Sequence, residues 1–214
     1  WLKPNEAPAG AKVLHAHGAY LVPSFWDIHV HLREPGQTHK ENLTTGAASA
    51  AAGGFGLVMA MPNTKPAIDN VALLQRLRQK AATLSHQTEI VFAGAVSVGQ
   101  LGRNAAPMKA MFENGAAAFS DDGFPIRTES LMRRALHASH ETGAVVIDHC
   151  EDLALSGKGV IHDGSVSRRL GVKGISSESE SFWVKRNIEI LKTSPGRLHL
   201  AHISTRESLY FIRR

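Results

Sequence analysis

Six short apolar runs recur along this chain, each followed by a longer alanine-rich or amphipathic stretch. They read FWDIHVHL (25–32), FGLVMAM (55–61), EIVFAGAV (89–96), AAAFSDD (116–122), AVVIDHC (144–150) and RLHLAHIS (197–204). Runs this short and this continuously apolar fit strands buried on both faces, as in a parallel sheet flanked by helices. The stretches between them carry helix punctuation. NLTTGAASAAAGG (42–54) is alanine-rich and stops on a glycine pair, and NVALLQRLRQKAATL (70–84) has apolar residues at helical spacing. The segment 128–143 opens on a threonine cap and closes on Gly143, and 177–196 opens with serine and an acidic first turn and stops at Pro-Gly. Strand then helix, repeated six times, predicts an α/β fold of the (β/α)8 TIM-barrel type, with about six β/α units in this chain. A doubly wound nucleotide-binding sheet is the alternative, but the chain has no Walker loop and no G-x-G-x-x-G after its first strand.

A closed barrel needs two more strands, and an open six-stranded sheet leaves two edges uncovered. The sequence is therefore expected to be part of a longer protein, or to be completed by another chain. Residues 23–214 form the expected partial barrel. Residues 1–22 lead into it, with KVLHAHGAYLVP (12–23) as a short strand or hairpin, the remnant of a small β-domain. With 43% hydrophobic and 20% charged residues over 214 positions, the chain has the balance of one large globular domain. No apolar stretch approaches the 18 or so residues of a membrane span, and the opening WLKPNEAPAG does not read as a secretory signal. One cysteine, Cys150, excludes an internal disulfide and suits the cytoplasm. The net charge of +5 is scattered in short pairs and aromatics are only 6%. That pattern argues against a nucleic-acid groove and is compatible with a small anionic substrate.

In a parallel barrel the chemistry sits at the C-terminal ends of the strands. The first run ends in His29, His31 and Arg33; the second leads to Asn63; the fourth ends in Asp121 and Asp122. The fifth ends in His149 and the sixth in His202. Alternation along a strand points both imidazoles of His29-Val30-His31 to one face. Several imidazoles with a carboxylate form a zinc-type donor set. Cys150, next to His149, should point away and be an inert buried thiol. His15, His17, His39, His86, His137, His140 and His162 have no convergent partners in the sequence, and His199 lies on the strand face opposite His202. Asp27 is either an outer partner of a metal-binding histidine or an ordinary strand residue, and Glu151 and Asp152 are expected to cap or pair locally.

DIHVHLREPG, AMPNT, FSDDG, DHCED and LAHIS, in this order, resemble the class I dihydroorotases of the cyclic amidohydrolase superfamily, and GVIHDGSVSRRLGVKGI (159–175) resembles the segment after their HCED motif. The resemblance implies a zinc-dependent hydrolase that interconverts N-carbamoyl-L-aspartate and L-dihydroorotate in pyrimidine biosynthesis. It implies His29 and His31 as ligands of the more buried zinc, His149 and His202 as ligands of a second metal, and Asp122, by family spacing rather than Asp121, as the carboxylate at one or two zinc ions. Arg33 and Asn63 would hold the substrate carboxylate, and the general base, an aspartate, is expected beyond residue 214. As the sequence stands, the chain alone is expected to be inactive. A homodimer and an association with aspartate transcarbamoylase are also implied. Alternatives are a non-catalytic scaffold subunit for aspartate transcarbamoylase and a hydantoinase- or allantoinase-type amidase. The sequence departs from the family pattern at Ser24, where glycine is usual, and at Gly56, where threonine is usual.

Overall fold

The computed structural model describes residues 6, 8–85 and 88–214, so the histidine at 86 lies outside the described residues. Six parallel strands form one sheet: β1 (Phe25–Val30), β2 (Phe55–Ala60), β3 (Glu89–Gly94), β4 (Ala116–Ser120), β5 (Val145–His149) and β8 (Arg197–Ala201), in the spatial order β1-β2-β3-β4-β5-β8. Helices α1 (Leu43–Ala52), α2 (Val71–Ala82), α3 (Met108–Glu113), α4 (Glu129–Thr142) and α7 (Ser177–Lys192) connect successive strands, and α8 (Arg206–Ile212) follows the last. Sequential parallel pairing with a crossover helix each time gives a partial barrel.

Local chemistry sets the helix starts. Asn42, Asn70, Thr128, Ser176 and Thr205 cap α1, α2, α4, α7 and α8, each accepting a backbone N–H of the first turn. Gly143 ends α4 in the left-handed conformation (φ 79°), as its position after the last periodic residue predicts. Alternation along the strands then divides the core in two. Leu43, Leu74, Phe92, Met111, Phe119, Met132, Leu136, Val146 and Ile190 pack between the sheet and its helices. Met59, Met61, Ala93, Ala118, Ile147 and Ala201 cover the opposite, inner face.

Two features were beyond the reach of periodicity. The segment 150–176 folds into α5 (Leu153–Ser156), α6 (Ser165–Leu170) and a two-stranded parallel sheet of β6 (Ile161–His162) and β7 (Gly174–Ile175), inserted between β5 and α7. Two-residue strands have no alternation to read. The strand or hairpin expected at 12–23 is not formed in the described residues from 8 to 24, and Leu14, Tyr20 and Leu21 are exposed.

The two departures at positions 24 and 56 face each other. A Cβ on Gly56 would lie 2.2 Å from the Ser24 hydroxyl oxygen and 2.7 Å from the Ser24 Cβ. The serine fills the space that a side chain at 56 would occupy, so the unusual residue at each site accounts for the other. Rotating the hydroxyl removes only the nearer clash. Gly56→Thr is expected to destabilise the protein by about 1–3 kcal/mol, as overpacking does, and Ser24→Gly is expected to recover most of the loss. Urea midpoints of the two single variants and the double variant check this; additive effects would contradict the pairing.

Candidate metal centre

Every residue singled out at a strand end stands at the C-terminal rim of the sheet. His29 is the penultimate residue of β1 and His31 follows that strand; Asn63 follows β2, Asp121 and Asp122 follow β4, His149 closes β5, and His202 follows β8. Strand pairing is what gathers them, because these positions are up to 173 residues apart (29 to 202).

They meet at one carboxylate. Asp122 Oδ1 lies 3.2 Å from His29 Nε2, 3.6 Å from His149 Nδ1 and 3.6 Å from His202 Nε2. Asp122 Oδ2 lies 3.6 Å from His31 Nε2 and accepts a 3.0 Å hydrogen bond from Asn63 Nδ2. The imidazoles also touch edge to face, with centroids 5.2 Å apart for His29–His31, 4.7 Å for His29–His202 and 5.0 Å for His149–His202. One ligand atom each from His29, Asp122 and His202 falls within a sphere of mutual separations below 4.8 Å.

The donors fit a cation. His29 Nε2 and His149 Nδ1 are buried and have no aligned hydrogen-bond partner, although each faces Asp122. Buried imidazole nitrogens of this kind need an explanation, and a divalent ion shared with the carboxylate supplies one. Electrostatics agrees. Burial alone would raise the Asp122 carboxyl, but the imidazoles of His149, His29 and His31 outweigh it and hold it far below its usual range. The neighbouring carboxylate raises His149. Desolvation lowers His31 and His202, favouring the neutral imidazoles that a metal binds.

Outer contacts fix these rings. His31 Nδ1 faces Asn63 Oδ1 at 3.1 Å, which leaves Nε2 for the centre. His149 Nε2 faces Glu151 Oε2 at 3.1 Å, which leaves Nδ1. Glu151 therefore pairs with a cluster histidine, while Asp152 caps α5 through Ala154 and Leu155. Asp27 accepts the backbone N–H of His29 at 3.0 Å and so holds the strand rather than the ring. Asn63 is engaged between His31 and Asp122, so receiving a substrate carboxylate there would exchange one of these contacts.

Arg33 sits beside this cluster with φ 55°. Its side chain has no hydrogen bond or ion pair among the described residues, while its charge adds to the forces lowering His31. The residue after it does the anchoring: Glu34 accepts from Leu43 N at 3.2 Å and pairs with Lys80. In the Arg-Glu-Pro-Gly turn the glutamate is thus tied to the scaffold and the guanidinium is left available. Cys150 is buried and turned toward Asp148 and Asn187, where burial pushes its thiol beyond the usual range.

A parallel α/β partial barrel with convergent histidines and one aspartate at its strand ends defines the class: a TIM-type barrel with a candidate metal site at its rim. The sequence comparisons specify the family. Residues 18–208 match the dihydro-orotase-like family model, and the chain belongs to that family. It is 44% identical over 208 residues to a dihydroorotase of Anaeromyxobacter dehalogenans and 46% identical over 205 residues to one of Pelotomaculum thermopropionicum. Those alignments cover 97% and 96% of this chain and 48% of each relative, so the chain spans about half the length of the curated relatives it matches. Among solved structures, an L-hydantoinase (dihydropyrimidinase) from Arthrobacter aurescens superposes with a TM-score of 0.77 at 18% identity, over 98% of this chain and 48% of that one. A dihydroorotase from Saccharomyces cerevisiae in complex with 5-fluoroorotic acid gives 0.63 at 17%, over 88% and 50%. At these identities both establish the fold alone.

The two adjacent aspartates take separate tasks. Asp121 turns from the histidines and accepts Val96 N and Ser97 N at 3.0 Å and Ser97 Oγ at 2.5 Å. Asp121→Ala is expected to strand those buried donors and cost about 1–3 kcal/mol of stability in chelator-treated protein. Denaturant unfolding measures it; an unchanged midpoint would contradict the assignment.

Proposed function

We propose that this chain carries the metal centre of a zinc-dependent dihydroorotase, which closes N-carbamoyl-L-aspartate to L-dihydroorotate and reopens it. The observation that supports this is the Asp122 carboxylate set among four imidazoles from three strand ends, beside an unpaired guanidinium. His29, His31, His149, His202 and Asp122 would hold one or two zinc ions. When bound, zinc polarises the scissile amide carbonyl and lowers the pKa of water toward neutrality.

The chain's own residues do the positioning. Arg33 grips the carboxylate that survives the reaction, since a planar guanidinium makes two parallel hydrogen bonds to it where a lysine makes a point contact. Asn63 holds His31 and Asp122 in register and lies close enough to contribute to the same carboxylate. Glu151 and Asn63 set which nitrogen of His149 and His31 faces inward. Burial of Asp122 keeps water from screening the carboxylate, which strengthens its hold on a cation. The proton transfer to the leaving nitrogen is assigned to none of these residues. The proposal extends to the cytoplasmic, pyrimidine-forming pathway, to a homodimer and to association with aspartate transcarbamoylase, all on the family relationship.

Zinc analysis of the full-length protein is expected to give between one and two equivalents; less than a tenth of an equivalent would favour a non-catalytic scaffold. Arg33→Met should cut kcat/KM for dihydroorotate by roughly 10–100-fold, the loss of a charged hydrogen-bonded pair, with zinc content unchanged. Turnover that survives this substitution would overturn the substrate assignment in favour of a hydantoinase- or allantoinase-type amidase.

A further inference from the structure

His202 is the cluster member with the least support of its own. Its side chain is 49% exposed, against 20% for His29 and 23% for His149, and it lies past the end of β8 rather than within the ladder. Its backbone is in the left-handed region at φ 60°, a strained conformation for a non-glycine residue that persists only where surroundings impose it. Something must hold the turn between β8 and α8.

One side chain does so. Glu180, in the first turns of α7, is only 8% exposed. Its Oε2 accepts Ser204 N at 2.9 Å and Ser204 Oγ at 2.6 Å. Its Oε1 accepts Thr205 N at 3.0 Å and Thr205 Oγ1 at 2.8 Å. The carboxylate thus takes four donors from the two residues that begin two positions after His202. Burial alone would raise this carboxyl; the hydrogen bonds it accepts from Ser204 and Thr205 outweigh that and lower it. The anchor itself is firm, because α7 is fixed to the β5 side by Asp152 N donating to Ser179 O at 2.7 Å and by Asn187 Nδ2 donating to the fully buried Asp148. Opposite the turn, His162 and Ile175 of the inserted β6–β7 pair line a small cavity with Glu180, Ser204 and Thr205.

We propose that Glu180 is the positioning residue for His202: a two-armed carboxylate clamp that holds the β8–α8 turn so that the strained backbone delivers the imidazole to Asp122. The inference rests on the metal-centre reading above and adds to it a residue 22 positions from its target, whose carboxylate is bonded to Ser204 and Thr205 of the following turn rather than to the cluster.

Glu180→Gln tests it with little change of volume. An amide keeps one acceptor and turns a donor toward one of the two arms, so half the clamp is lost. In the full-length protein, chelator competition is expected to show zinc affinity reduced by roughly 10–100-fold, the usual effect of an outer-contact substitution. The Ser204 and Thr205 amides should exchange faster in the metal-free protein. The double variant Glu180→Gln/His202→Ala should bind zinc no more weakly than His202→Ala alone, because the clamp acts through that imidazole. Affinity unchanged in Glu180→Gln, or a further drop in the double variant beyond His202→Ala, would overturn the inference while leaving the metal reading intact. Should Glu180→Gln fail to fold, Thr205→Val, which removes one donor, is measured in its place with the same two outcomes. Wild-type protein that takes up no zinc would overturn the metal reading and this inference with it.

Discussion

The rim of this sheet depends on a buried carboxylate. Asp122 sits within 3.6 Å of four imidazoles that arrive from β1, β5 and β8, and no lysine or arginine among the described residues pairs with it. Four imidazoles around one carboxylate satisfy each other incompletely: two buried ring nitrogens are left without aligned partners. A packed protein interior tolerates few such atoms. The arrangement is understandable as a set of donors held apart for something that binds between them. The cost of assembling it is met elsewhere, by the larger apolar core between the sheet and its helices.

The surrounding structure divides its labour along the strand alternation. Outward-facing residues such as Phe92, Phe119 and Val146 pack against helices and fix the sheet, and the inward face carries alanines and the donors. Adjacent residues consequently do unrelated things. Asp121 braces the loop after β3 while Asp122 joins the cluster; Cys150 packs beside Asp148 while His149 faces inward. In the turn after β1, Glu34 is spent on α1 and α2, and Arg33 is spared. Carboxylates outside the cluster then orient its members from behind, Glu151 at His149 and Glu180 at the turn that follows His202.

Much of this is written plainly in the residues. Continuous apolar runs announce buried parallel strands, and His-x-His on a strand fixes the shared face of His29 and His31 before any coordinates. The end-of-strand rule places Asp122, His149 and His202 at one rim. What escapes is whatever depends on pairing without periodicity. β6 and β7 are two residues each, α3 and α5 are barely longer than a turn, and none leaves a repeating pattern. Alternation alone does not choose between Asp121 and Asp122, which are both buried; the family spacing favours Asp122. Ser24 and Gly56 look like independent oddities until a shared volume joins them. Glu180 is invisible as a partner of Ser204 and Thr205, because a separation of 24 or 25 residues across a helix carries no local signal.

The central claim is that imidazole nitrogens and a carboxylate oxygen hold zinc at the rim, with no thiolate in the set. Zinc K-edge X-ray absorption of the zinc-loaded full-length protein tests it most directly. The account predicts a first shell of nitrogen and oxygen at about 2.0–2.2 Å, with the outer-shell scattering of at least two imidazoles. A sulfur shell at about 2.3 Å, or a first shell without imidazole scattering, would contradict it.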